Sequence, residues 1–95
     1  MITTKQRANL RGQANGLETI LQIGKVGITD AIVSQVDDAL TARELIKLRV
    51  LETAPITSRE AAQDLAPRLR ADIVQVIGMR FVLFRRNYKN PKIQL

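Results

Sequence analysis

The chain has 95 residues, 15 of them Lys or Arg against 9 Asp or Glu, and 45% are hydrophobic, which describes one small domain spanning residues 1–95. It contains neither Cys nor His, so thiolate and imidazole metal sites, thiol nucleophiles and the commonest general base are all excluded. The longest apolar run, Phe81 to Phe84, falls far short of the roughly 20 residues a membrane helix needs. The polar start Met1-Ile2-Thr3-Thr4-Lys5-Gln6 does not read as a signal peptide, so a cytoplasmic protein without a membrane partner is expected.

The net charge of +6 is unevenly distributed. Residues 1 to 25 hold four cations and one acid, residues 26 to 79 six cations and eight acids, and residues 80 to 95 five cations and no acid. If the two basic ends meet in space, they make one positive surface on a nearly neutral body, the electrostatic footprint of a polyanion binder. A general solubilising charge is the alternative.

Thr3 and Gln6 have capping-box spacing, and Leu10, Ala14 and Leu17 recur at helical intervals, so a first helix is predicted over 4–15, stopped at Asn15-Gly16. Arg7 and Arg11 lie one turn apart beside its apolar stripe, free to face a ligand. Residues 19–23, short, apolar and ended by Gly24, read as a strand. Thr29 is a candidate N-cap for a helix over 30–42 with a buried stripe of Ile32, Val33, Val36, Ala39 and Leu40. Residues 44–51 alternate as a strand does: Ile46, Leu48 and Val50 share one face, and Lys47 and Arg49 share the other between Leu45 and Leu51.

Thr57 and Glu60 form a second capping box, opening a helix that carries Ala61, Ala62, Leu65 and Leu69. Pro67 is expected to kink that helix or finish it near Ala66. Residues 72–77 and 81–85 are two β-rich runs around Gly78-Met79-Arg80, the pattern of an antiparallel hairpin. The order α-β-α-β-α-β-β implies an α/β fold with a four-stranded mixed sheet and both crossover helices on one face; the place of the first helix stays open. Residues 86–95 read as an extended or loosely ordered basic tail.

One loop has a chemical reading. Gly24-Lys25-Val26-Gly27 lies between the first strand and the second helix, where two glycines permit close approach and peptide N–H groups can face an anion. The positive end of the following helix and the charge of Lys25 would add to that field, making a phosphate-contacting loop; a plain turn is the alternative. The longer glycine spacing and Lys-Ser or Lys-Thr pair of a nucleotide-triphosphate loop are missing. Arg80, Arg85 and Arg86 surround the last strand, Lys5, Arg7 and Arg11 mark the first helix, and Arg forks suit phosphate oxygens. Tyr88 and Phe84 could stack on bases, but with so few aromatics backbone gripping is expected to dominate. Among the acids, Asp37 and Asp38 are adjacent on a helix and point about 100° apart, so they cannot converge on a metal. Glu44, Asp64 and Asp72 suggest no hydrolytic constellation either.

Four segments together resemble a known family. They are Thr3-Thr4-Lys5-Gln6-Arg7 through Leu10, Ile23-Gly24-Lys25-Val26-Gly27-Ile28-Thr29, Ala42-Arg43-Glu44-Leu45-Ile46-Lys47, and the run from Val74 to Arg85. In that order they resemble the chloroplast RNA splicing and ribosome maturation (CRM) domain, whose bacterial single-domain form is YhbY-like, over nearly the whole chain. The resemblance implies an RNA-binding fold like the C-terminal domain of bacterial translation initiation factor three. It also implies a role like that of the bacterial members in large-subunit ribosome assembly, where the plant multi-domain members act in group II intron splicing. The family's GxxG loop falls on Gly24, Lys25, Val26 and Gly27, and its basic surface on Arg7, Arg11, Arg80 and Arg85. Val26, Phe84 and Pro67 depart from the family pattern.

The expected function is therefore a non-catalytic RNA binder, with rRNA of large-subunit precursors as partner and no cofactor, metal or small-molecule substrate. The alternative is a protein-interaction adaptor on ribosomal particles, docking an acidic partner on the Lys47 and Arg49 face or on the basic tail.

Overall fold

Each helix begins on a threonine. In the computed structural model, which describes residues 1–95, the Thr3 hydroxyl accepts from the Gln6 N–H and the Gln6 side chain accepts from the Thr3 N–H, opening α1 (Thr4–Ala14). Thr29 caps α2 (Asp30–Arg43) through the Ile32 N–H, and Thr57 and Glu60 repeat the reciprocal box at α3 (Ser58–Leu69). Such caps satisfy N–H groups that no helical carbonyl can reach. Between the helices lie β1 (Thr19–Ile23) and β2 (Leu45–Val50), followed by the hairpin strands β3 (Asp72–Ile77) and β4 (Arg80–Phe84).

The strands form one mixed sheet in the order β1-β2-β4-β3, with β1 parallel to β2 and β4 antiparallel to both its neighbours. The element order and the mixed sheet are as the sequence predicts. The hairpin turn is tighter than expected: Ile77 pairs with Arg80, so only Gly78 and Met79 turn the chain and the last strand starts one residue early. Gly78 holds φ +57°, which suits the first position of a two-residue hairpin turn. The Ser58 hydroxyl donates to the Gly78 carbonyl at 2.6 Å, tying the start of α3 to this turn.

Both faces of the sheet are covered, unequally. On one face, Val36 and Leu40 of α2 and Ala61, Ala62, Leu65 and Ala66 of α3 pack on Ile46, Leu48, Val50, Phe81 and Leu83. The crossover helices thus share a face, as expected. The opposite face receives α1, whose Leu10 and Ala14 pack on Leu45, Val74, Val82 and Phe84.

Pro67 does not stop α3, which runs two residues further to Leu69. Its missing N–H orphans only the Gln63 carbonyl, and both residues are exposed, so that carbonyl need not be satisfied within the protein. The end is then closed by the Ala71 N–H donating to the Ala66 carbonyl at 2.8 Å and the Arg70 N–H to the Pro67 carbonyl at 3.4 Å. Arg70 takes the left-handed conformation (φ 57°, ψ 38°) that glycine usually supplies at this position.

The C-terminal segment is not loose. Glu44, between α2 and β2, is fully buried and has φ +65°, and its carboxylate accepts from the backbone N–H groups of Asn87, Lys92 and Ile93 at 2.5, 2.5 and 2.7 Å. Arg86 Nη1 lies 3.2 Å from the same carboxylate and 5.5 Å from the Phe84 ring centroid is its guanidinium carbon, while the Gln13 side chain donates to the Gln94 carbonyl. The expected loosely ordered tail is therefore corrected: it is irregular in backbone but fastened by one buried anion.

Burial works to raise the Glu44 pKa, but the N–H groups of Asn87, Ile93 and Lys92, with the Arg86 charge, outweigh it and hold the group below 4.5. A lowered folded-state pKa means that the carboxylate adds stability above its unfolded pKa and loses it as pH falls through the folded value. Thermal melts should therefore show stability falling on acidification below pH 4.5. Glu44→Gln should flatten that dependence and cost about 3 kcal/mol at neutral pH, because Arg86 is left without its partner.

Candidate nucleic-acid interface

Gly24-Lys25-Val26-Gly27 is a β-turn closed by the Gly27 N–H donating to the Gly24 carbonyl at 2.9 Å. Its two glycines are not equivalent. Gly27 is buried, with φ +71°, and a Cβ there would stand 3.2 Å from Pro55 Cγ, so only glycine fits without strain. At Gly24 a Cβ would meet Leu51 Cδ1 at 3.6 Å, an ordinary contact, and the backbone needs no positive φ. Lys25 and Val26 form the exposed tip, with Val26 77% accessible, so its bulk projects outward instead of filling the turn.

The end of α2 adds less than expected. Thr29 already occupies the cap, and Asp30 places a carboxylate in the first turn, opposing the positive end of the helix dipole. The anion-attracting part of this segment is the Lys25 charge at the tip of a rigid turn.

Beside that turn lies the half of the sheet that α1 leaves uncovered. Cross-strand register aligns Gln22, Arg49, Arg80 and Ile77 in one row across the four strands; the next row on this face, Thr19, Lys47, Val82 and Gln75, runs to the edge of α1, which buries Val82. Neither row contains a carboxylate. Arg49 and Arg80 are direct antiparallel partners, an arrangement of like charges that destabilises a sheet. Arg49 Nε is also out of solvent with no acceptor within the protein. These two costs fall on one residue, in a chain where Arg68, Arg85 and Arg86 all have carboxylate partners. Ile77, 59% exposed, ends the first row.

The predicted cations divide into groups. Arg80 stands exposed on the uncovered floor. Arg7 and Arg11 share one flank of α1: successive helical residues turn about 100°, which puts them across the Leu10–Ala14 stripe from Gln13, the residue that binds the tail. The Arg7 Nε donates to the Ile73 carbonyl at 3.1 Å, steadying its side chain on β3. Lys5 lies on the other flank of α1, beside Asn9 and Leu95, away from the floor.

Arg85 departs furthest from expectation. Its guanidinium is engaged by the Asp37 carboxylate at 2.7 Å, the Asp37 and Leu69 carbonyls at 3.0 Å and the Thr41 hydroxyl at 2.9 Å. It fastens β4 to α2 and α3 on the opposite face, with both terminal nitrogens engaged inside the protein. Phe84 is likewise buried beneath α1, so it cannot stack on a base. The basic ends of the chain meet only in part: Arg7 is tied to β3, the edge strand opposite β1 and the Lys25 turn, while Arg85 and Arg86 are held elsewhere by acids.

Lys47 and Arg49, with Gln22 and Gln75, complete the floor and were not among the nucleic-acid residues predicted from sequence. The alternation in residues 44–51 does reveal a polar back to that strand. Its position opposite Arg80 follows from the β2–β4 pairing, which no local pattern encodes.

Comparison with known proteins bears on this arrangement. The CRS1/YhbY (CRM) domain family model matches residues 2–85. The chain is 39% identical over 95 residues to the Bacillus subtilis protein named probable RNA-binding protein YqeI, covering 100% of this chain and 99% of that one. It is 32% identical over 94 residues to a Haemophilus influenzae protein named RNA-binding protein, covering 99% and 94% of the two chains. Among solved structures, the Staphylococcus aureus hypothetical protein SAV1595 superposes with a TM-score of 0.83 at 41% identity, over 100% of this chain and 99% of the other. With the family match running from the start of α1 to the end of β4, the chain belongs to the CRS1/YhbY (CRM) domain family.

Proposed function

We propose that this protein is a non-catalytic RNA-binding domain that grips structured RNA by its phosphates, and that its partner is rRNA in precursors of the large ribosomal subunit. The observation that carries the reading is the Arg49–Arg80 pair, two arginines facing each other on an uncovered sheet with no acid in either row. Packing alone disfavours such a pair, whereas a phosphate between two guanidinium forks relieves the repulsion and gives Arg49 Nε an acceptor. Lys25 on its turn and Arg7 and Arg11 on α1 add further cations on neighbouring elements. The names of the relatives from B. subtilis and H. influenzae as RNA-binding proteins support the same reading. The choice of large-subunit rRNA rests on the family resemblance of the four sequence segments.

If about five phosphates are neutralised, the single-strand salt slope is near −3.5, and affinity falls on the order of a hundredfold between 50 and 200 mM salt. Filter binding or fluorescence anisotropy across that range checks it; a flat response counts against the reading. Lys25→Glu should weaken RNA binding with no loss of thermal stability.

Arg80→Gln should separate the roles of the pair. Removing the opposed charge is expected to stabilise the fold by a few tenths of a kcal/mol, most visibly at low salt, while RNA affinity falls. Melting curves and binding isotherms on the same sample read the two effects, and a variant that moves both in the same direction contradicts the assignment.

A further inference from the structure

A second surface lies at the other end of the sheet, in residues 86–95, outside the region matched by the family. Tyr88 is 90% exposed, although the chain around it is held from several sides. The buried Glu44 carboxylate binds the N–H groups on both sides of the loop, at Asn87 and at Lys92 and Ile93. Asn87 donates to the Thr41 carbonyl, and its side-chain oxygen accepts from the N–H groups of Lys89 and Asn90, both at 3.2 Å. Fixing this loop uses a buried charge at a residue with φ +65°, yet the single tyrosine at its tip is left outside any core.

The surroundings of the ring are cationic. On one side it borders a groove of about 330 Å³ shared with Ile2, Phe84, Arg70, Arg86 and one acid, Asp72. On the other it adjoins Thr41, Asn87 and Lys89. Residues 80–95 carry no acid, so the loop presents an aromatic ring beside free and partly engaged cations, the pairing that holds unpaired bases on single-stranded nucleic acid.

We infer that Tyr88 is a base-stacking platform for an unpaired nucleotide of the bound RNA, with Arg70 and Lys89 holding the adjoining phosphates. The inference rests on the RNA-binding reading above and adds a contact remote from the phosphate floor. Arg80 and Phe84 stand at opposite ends of β4, four residue steps or about 13 Å apart at strand spacing, and Tyr88 lies beyond the Phe84 end, so an RNA segment longer than that engages both.

The chain has one Tyr and no Trp, so its tyrosine emission reports Tyr88 alone. Titration of the full chain with a short single-stranded oligoadenylate should quench this emission along the binding isotherm. Tyr88→Ala should weaken binding about tenfold, and Tyr88→Phe should keep it near wild type, because the ring and not the hydroxyl does the stacking. Unchanged emission, together with wild-type affinity in Tyr88→Ala, overturns this inference and leaves RNA binding by the floor intact. Absence of any oligoadenylate or rRNA binding by the wild-type chain at low salt overturns the RNA reading itself, and this inference with it. Quenching by polyglutamate but not by oligoadenylate assigns the loop to an acidic protein partner and overturns the inference in that way.

Discussion

The covering of the second sheet face sets the terms for the rest of the molecule. Helix α1 has 11 residues, about 16 Å of helix, and its apolar stripe is short, with Leu10 and Ala14 as its buried members. That is enough to bury Leu45, Val74, Val82 and Phe84, and it leaves the ends of β1 and β2 and the start of β4 in contact with water. A sheet cannot keep an uncovered half apolar without becoming a site of association, so that half must be polar. What the constraint does not require is that it be polar with one sign of charge. Alternating Lys or Arg with Glu would solvate it equally well and would stabilise the strand pairs. The presence of Lys47, Arg49 and Arg80 there, without an acid in their rows, is the feature that points beyond folding.

Cations elsewhere in the chain show the contrast. Arg85 is surrounded by acceptors from α2 and α3, and Arg86 faces the buried Glu44. Each serves as a cross-link between segments far apart in sequence, and each has a carboxylate within reach. Arginine suits both tasks because its planar fork binds carboxylate and phosphate with the same geometry. Residue type therefore does not distinguish a structural arginine from a ligand-binding one. The deciding feature is whether the protein itself supplies the anion.

That distinction explains how far the sequence could be read. The caps at Thr3, Thr29 and Thr57, the element order and the polar back of β2 are local patterns, and they are present in the structure as read. Arg85 looked equivalent to Arg80 because both flank the last strand in a basic stretch; their difference lies in contacts to Asp37 and Thr41, more than forty positions away. Glu44 was visible as an acid in a family motif, but its three backbone partners come from residues 87–93. The tail looked loose for the same reason, since its own residues contain no sign of the carboxylate that fastens it. Pro67 misled in the opposite direction. The penalty for a proline in a helix interior does not reach the last turn, where the orphaned carbonyl belongs to an exposed residue and the chain is about to leave the helix.

Mounting the cations of the floor on strands instead of loops has an energetic consequence. Lys47, Arg49 and Arg80 extend from backbone that is hydrogen-bonded on both sides, with the two-helix core packed beneath it. Little backbone entropy remains to be lost in any contact these side chains make, so on the reading proposed above a larger share of each phosphate contact would appear as affinity. The same rigidity prevents Arg49 and Arg80 from relaxing apart in the free protein, where their repulsion remains as a standing destabilisation. The fold tolerates this because its stability comes from elsewhere: the aliphatic core under α2 and α3, the α1 cover and the Glu44 anchor. The like-charged pair is thus a local cost that the rest of the chain is stable enough to carry.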